Sequence, residues 1–292
     1  MPVTQTDEPH PGTVHVNEAR DPRLRDYRHL TDAAARRSVD GSEGHGTFVV
    51  EGVLAVRQLL RSRYRVRSVL STPARAGALA AELDAAGVVA GAGTFEHLVA
   101  TREVLRGVTG FDVHRGVLAA ADRAPLPPAA ELLAAARRVV VLDGINDHEN
   151  LGALFRNAAA LGATAVLLDD TAADPLYRRS IRVSAGWTMR LPFARGGPSE
   201  TIPDLLHQHG LRSAALTPSP HATPVDEAAA SGMLDDPVAL IVGAEGPGLP
   251  DATIAACDLA VRVPMSGEVD SLNVATALAV VAAFAAARRN WR

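Results

Sequence analysis

The chain has 292 residues, 47% of them hydrophobic, with 29 basic and 33 acidic side chains and a formal net charge of −4. That apolar content excludes a disordered chain, which cannot bury enough surface to offset its ordering entropy, and the length suits one large or two ordinary domains. A single Cys257 excludes an internal disulfide and a cysteine-based zinc site, and fits a reducing cytoplasm.

Residues 1–18 are polar, with Pro and Gly, and lack the apolar core of a signal peptide; a disordered tail is expected there. Every basic residue is Arg, and their distribution is uneven. Residues 20–75 hold twelve Arg against six acids, a local excess of six positive charges on a chain that is negative as a whole. "RSRYRVR" (61–67) packs four of them around Tyr64, so Arg61, Arg63 and Arg65 are candidate nucleic-acid contacts. From residue 47 the pattern alternates. "TFVVEG" and "VRSVL" read as strands, "VLAVRQLLR" and "RAGALAAELDAAG" as helices, and "HRGVLAAA" as a further strand. This predicts a small α/β domain over 19–122. The three prolines of "DRAPLPPAAE" (122–131) mark a linker, placed at 123–136.

A second domain is expected over 137–292. Apolar strands at 138–142, 165–168, 212–216 and 237–242 alternate with helical segments, the pattern of a mostly parallel sheet covered on both faces. The longest uncharged run, 271–287, is 17 residues and largely Ala. It is too short and too weakly apolar for a membrane span and predicts a buried helix.

Open α/β sheets bind ligands at the carboxyl ends of their strands, and three junctions there are rich in polar residues. In "NDHENLGALFRNAAALG" (146–162), Asn150 is a candidate helix cap and Arg156, six residues on, is expected to face the same side. "GAEGPGLP" (243–250) has the glycines of a sharp turn but not the Lys-Ser/Thr of a phosphate loop. Its Glu245 has the wrong sign for phosphate and the right sign for a cation. In "VPMSGEVDSLNVATALAV" (263–280), Ser271 is the candidate cap of the Ala-rich helix, which leaves Asn273 unexplained. The histidines show no metal-ligand spacing, so no metal is expected.

Asn-x-Gly-x-x-x-Arg at 150–156, Gly-Ala-Glu-Gly-Pro-Gly-Leu at 243–249 and Pro-Met-x-Gly-x-x-x-Ser-Leu-Asn-Val at 264–274 occur in order. Together they resemble the motifs of the SpoU (TrmH-like) family of S-adenosylmethionine-dependent RNA 2′-O-ribose methyltransferases, in the SPOUT superfamily. "RVSAGW" (182–187) is similar to the family's Arg-x-Ser-x-Gly segment. The resemblance implies a C-terminal trefoil knot and a homodimer whose active site lies near the subunit interface. It implies donor contacts at Thr217, Gly243, Val263 and Leu272. It also implies catalytic roles for Asn150, Arg156, Glu245, Ser271 and Asn273, with Asn150 and Glu245 holding Arg156 or the loop. The resemblance implies Arg156 as the base, which a guanidinium, protonated at ordinary pH, could be only if strongly perturbed by the donor's charge and burial; the other role open to it is orienting the acceptor hydroxyl and its adjacent phosphate and stabilising oxyanion charge. The front segments are similar to a small RNA-binding domain that shares its fold with a ribosomal protein. This favours ribosomal RNA, 23S above all. Transfer RNA and a non-catalytic role in RNA binding or ribosome assembly are the alternatives. "DPRLRDYRHLTD" and "HRGVLAAADR" faintly resemble resistance methyltransferases of the avilamycin type.

Overall fold

The apolar run Val238–Val242 is buried at every position because it lies between two neighbours of a parallel sheet, with both faces covered. A computed structural model describes residues 13–28, 30, 46–85, 95–113, 115–267 and 269–287, and the elements, contacts and counts given are those of the described residues. The chain divides into two compact units. Met1–Pro125 and Leu176–Arg190 make up the first, and Leu126–Pro175 and Leu191–Arg292 the second.

In the first unit, strands β1 (Thr13–Val16), β2 (Thr47–Glu51), β3 (Val66–Ser71), β4 (Glu96–Ala100) and β5 (Val117–Asp122) form one sheet in the order β1-β4-β3-β5-β2. The β1–β4 and β3–β4 pairings are parallel, and β5 runs antiparallel to both β2 and β3. Its helices are α1 (Val53–Leu60), α2 (Pro73–Ala85) and α3 (Arg102–Thr109). Two sequence expectations need correcting here. Thr13–Val16, assigned to a disordered tail, is an edge strand in register with His97–Ala100, whose sheet it extends; residues 1–12 lie outside the described residues. The second correction is Leu176–Arg190, expected within the C-terminal domain. Its helix α6 (Arg178–Val183) packs on β2 of the first unit, where Arg178 reaches Glu51 at 3.5 Å and stacks on the Phe111 ring at 4.4 Å.

In the second unit the strands are β6 (Arg138–Leu142), β7 (Ala165–Leu168), β8 (Phe193–Arg195), β9 (Arg212–Leu216), β10 (Thr223–Pro224), β11 (Val238–Val242) and β12 (Leu259–Arg262). They lie in the order β10-β12-β9-β11-β6-β7-β8, every pairing parallel. The helices are α4 (Ala129–Ala134), α5 (His148–Ala160), α7 (Ile202–Gln208), α8 (Val225–Ala230), α9 (Asp251–Ala256) and α10 (Val274–Ala287). Helix α4 occupies part of the segment read as a linker. Its Leu133 is buried in the same core as Val139, Leu167 and Ile241. Strand order reverses about β6: β7 and β8 extend the sheet to one side, and β9 to β12 fill the other. The carboxyl ends of β9, β11 and β12 therefore gather beside this switch, where a doubly wound sheet leaves a crevice.

The end of the sheet away from that crevice is held by Arg138, 2% exposed. Its guanidinium donates to Asp236 Oδ1 (Nε 3.1 Å), to the Leu161 carbonyl at the end of α5 (3.2 Å) and to the Ala285 carbonyl in the last turn of α10 (3.0 Å). A cation thus meets two helix carboxyl ends and one buried carboxylate. Removing one partner of such a pair strands the other without water, at a cost of about 3–5 kcal/mol. Arg138→Ala is expected to lose about that much stability in thermal or urea unfolding, and Arg138→Met/Asp236→Leu is expected to regain most of it. A single variant as stable as the parent would show that the pair contributes nothing.

Candidate active site

Three loops converge on the crevice, and each is shaped by a local requirement. The first leads into α5. Asp147 caps this helix, accepting from the N–H groups of Glu149 (2.9 Å) and Asn150 (2.8 Å). Asn150, expected to be the cap, instead lies in the first turn with its side chain free for other work. The second loop, 243–249, folds back on itself: Gly248 N–H donates to the Ala244 carbonyl at 2.9 Å. A Cβ on Gly243 would come within 2.3 Å of the Gly248 carbonyl carbon and 2.4 Å of the Leu249 nitrogen. Only glycine fits where main chain passes main chain this closely. The third loop leads into α10, and the cap there is Asn273, not Ser271. Its Oδ1 accepts from Ala275 N–H (2.9 Å) and Thr276 N–H (3.4 Å).

The three loops are joined by a closed ring of side-chain hydrogen bonds. Asn150 Nδ2 donates to Glu245 Oε2 at 2.8 Å, Asn273 Nδ2 to Glu245 Oε1 at 3.2 Å, and Asn273 Nδ2 to Asn150 Oδ1 at 2.9 Å. The amide orientations follow from chemistry. An ionised carboxylate only accepts, so both amides must turn their NH₂ groups toward Glu245. The Asn273 oxygen is then left for the helix N-terminus. Both Asn273 Nδ2 protons are used, while Asn150 keeps one N–H for a ligand.

Glu245 of the ring stands at the edge of an open cleft. Leu216, Val261, Val263, Met265, Leu272 and Val281 form its apolar walls, and Thr217, Gly243, Glu245 and Ser271 its edges. The sequence had assigned Thr217, Gly243, Val263 and Leu272 together; they do line one cleft, from three strand ends and the 263–273 loop. The main-chain groups of Gly243, Val263 and Leu272 make no hydrogen bond among the described residues. Unpaired amides beside an apolar surface suit a flat heterocycle, and the Glu245 carboxylate at the rim suits a cation. This donor set fits S-adenosylmethionine. Among the described residues, no three His, Cys, Asp or Glu side chains are grouped to hold a metal ion.

Arg156 is the exception. It is exposed, is absent from the cleft lining and makes no hydrogen bond or ion pair among the described residues. Asn150 and Glu245 bind each other and Asn273, so they do not hold Arg156. The reason is helical phase: six residues turn the side chain about 120° away from Asn150 and carry it about 9 Å along the axis. In the first unit, Arg65 is also changed in meaning. Its Nε donates to Asp122 Oδ2 at 2.6 Å, and Asp122 also binds Arg67. Arg61 and Arg63 stay exposed, with the Arg63 guanidinium 5.2 Å from the Tyr64 ring centre. The sequence reading missed Asp147, although Asp followed by a helical pattern is itself a capping signal.

A parallel sheet with a switch-point cleft, edged by Glu245 of the Asn150–Glu245–Asn273 ring, can now be set beside known proteins. The sequence profile described as the SpoU rRNA Methylase family matches residues 137–283. An uncharacterised tRNA/rRNA methyltransferase of Mycobacterium tuberculosis is 43% identical over 274 residues, 93% of this chain and 92% of that protein. The 23S rRNA (guanosine-2′-O-)-methyltransferase RlmB of Haemophilus influenzae is 34% identical over 185 residues, 61% of this chain and 73% of that protein. Among solved structures, the SpoU methyltransferase AviRb of Streptomyces viridochromogenes in complex with AdoMet superposes with a TM-score of 0.71. It is 22% identical and covers 92% of this chain and 98% of that one, a likeness of fold. The chain belongs to the SpoU family of RNA methyltransferases.

Gly243→Ala is expected to open the 243–249 loop and abolish S-adenosylmethionine binding, measured by calorimetry, with thermal stability lowered by a few degrees. Donor affinity within twofold of the parent would show that the close main-chain passage does not shape the cleft.

Proposed function

We propose that this protein transfers a methyl group from S-adenosylmethionine to a ribose 2′-hydroxyl of RNA. The reading rests on one observation, the Asn150–Glu245–Asn273 ring that sets Glu245 at the edge of a cleft where the main-chain groups of Gly243, Val263 and Leu272 are unpaired among the described residues. S-adenosylmethionine, when bound, supplies an electrophilic methyl on a sulfonium centre. The chain's own residues do the rest. Gly243, Val263 and Leu272 would offer it main-chain partners, Thr217 and the apolar walls would hold its heterocycle, and Glu245 would place a negative charge near the cation. Ser271 lines the cleft, and with the remaining N–H of Asn150 it would orient the acceptor ribose. Arg156 would stabilise developing oxyanion charge or an adjacent phosphate without giving up its own proton.

Since Arg156 is turned from the cleft of its own chain, it would serve the cleft of a second copy in a homodimer. The face of α10 carrying Thr276, Ala283 and Phe284, the last 39% exposed, favours such a partner. For residues 137–292 we propose the family's trefoil knot. It is supported by the late strands β11 and β12 entering between earlier ones, and by α10 returning to α5, where Asn157 Nδ2 donates to the Ala275 carbonyl at 2.8 Å. The substrate put forward is 23S ribosomal RNA, following the activity in the name of RlmB, with transfer RNA as the alternative. Protection against a ribosome-targeting antibiotic is the narrower form of the same reading.

The test is transfer of tritiated methyl to ribosomal RNA from a strain lacking the gene, with primer extension at low dNTP to locate the product. Arg156→Ala is expected to lose transfer while keeping donor affinity within a few-fold. Co-expressed Arg156→Ala and Gly243→Ala chains are expected to recover about a quarter of parental activity, because half of randomly paired dimers carry one intact composite site. An inactive mixture would place Arg156 at its own cleft. A parent that modifies no RNA would overturn the proposal.

A further inference from the structure

The first unit holds a second basic surface, at the other end of its sheet from the "RSRYRVR" run. Gly52 N–H donates to the Val117 carbonyl at 2.9 Å, and Thr72 N–H to the Gly116 carbonyl at 2.9 Å. The ends of β2 and β3 and the start of β5 therefore lie side by side. At this end each of two glycines has an arginine across it. A Cβ on Gly52, at φ +94°, would stand 2.8 Å from Arg115 Cδ, and one on Gly116, at φ +64°, would stand 3.3 Å from Arg75 Cγ. Both arginines are exposed, and neither makes a hydrogen bond or ion pair among the described residues. Two residues beyond Gly52 is Leu54, the most exposed large apolar side chain of the described residues at 60%.

The contrast with the opposite end decides the assignment. There Asp122 binds Arg65 and Arg67, and Asp26 lies 3.3 Å from Arg67. Two of the four arginines in that run are already neutralised by the chain. At the Gly52–Gly116 end, Glu51 is buried and paired with Arg178, and among the described residues no carboxylate pairs with Arg75 or Arg115. Two exposed guanidiniums, unpaired among the described residues, at the sheet end where the chain enters α1 with its exposed Leu54 match a nucleic acid, with phosphates for the charges and the face of an unstacked base for the apolar side chain.

We propose that Arg75, Arg115 and Leu54 form the principal RNA-docking surface of the first unit, ahead of the Arg61–Arg65 run. The inference rests on the RNA-directed reading above. The surface meets the sugar-phosphate backbone of the substrate through the two arginines, and Leu54 abuts a base.

The experiment measures binding of the full-length protein to ribosomal RNA from a strain lacking the gene, across a salt series, with S-adenosylmethionine affinity and thermal stability as controls. For Arg75→Ala/Arg115→Ala, affinity is expected to fall at least tenfold near 0.1 M salt and the logarithmic salt slope to shrink by about 1.4, the counterions of two phosphate contacts on a single strand. Leu54→Ala is expected to weaken binding several-fold with the slope unchanged, since no charge is removed. Arg61→Ala/Arg63→Ala is expected to have the smaller effect. If Arg75→Ala/Arg115→Ala keeps parental affinity and slope, or if Arg61→Ala/Arg63→Ala loses more, the surface is wrong. A parent that binds RNA through Arg75 and Arg115 but transfers no methyl would sustain the surface and sink the methyltransferase reading. Efficient transfer with an unaffected double variant would do the reverse.

Discussion

Asn273 does two jobs with one side chain, and the site is organised around that overlap. Its oxygen satisfies first-turn N–H groups of α10, while its NH₂ group bridges Asn150 and Glu245. An aspartate would cap the helix equally well but would set a second negative charge against Glu245. A serine would cap it but is too short to bridge. The amide alone links the fold of the last helix to the position of the second loop. The ring is exposed, so its strength lies less in any one bond than in closing three loops on one another.

The same economy appears at the far end of the second unit. Arg138 reaches carbonyls near the ends of α5 and α10 and the carboxylate of Asp236. Helices α5 and α10 are thus tied at both ends: Asn150 to Asn273 near the amino end, Arg138 near the carboxyl end, and Asn157 to the Ala275 carbonyl between. An Ala-rich helix has few large side chains to specify its packing. Polar pins at defined points supply the register that apolar contacts leave loose.

Charge is divided between the units. The basic excess falls in the first, while the cleft of the second is rimmed by Glu245, with the exposed Asp147 and Asp270 in the flanking loops. An acidic rim favours a cationic ligand and opposes a polyanion, which is why the proposed RNA contacts are sought on the first unit.

Much of the second unit was legible in its residues. The strands at 138–142, 165–168 and 212–216 were placed to the residue, because fully buried parallel strands leave unbroken apolar runs between polar boundaries. The three motif loops were legible for a similar reason: glycines and capping residues answer local backbone demands. What escaped was whatever depended on a partner distant in the chain. Thr13–Val16 is a strand only because β4 offers an open edge, and residues 176–190 pack on the first unit through contacts that no periodicity announces. Arg65 reads as a free cation until Asp122, 57 residues on, closes over it. The same holds for Asn273 and Ser271. Both are capping residues within two positions of each other, and either would satisfy the helix alone. The choice fell to Asn273 because Asn150 and Glu245, 123 and 28 residues away, needed a donor at that point.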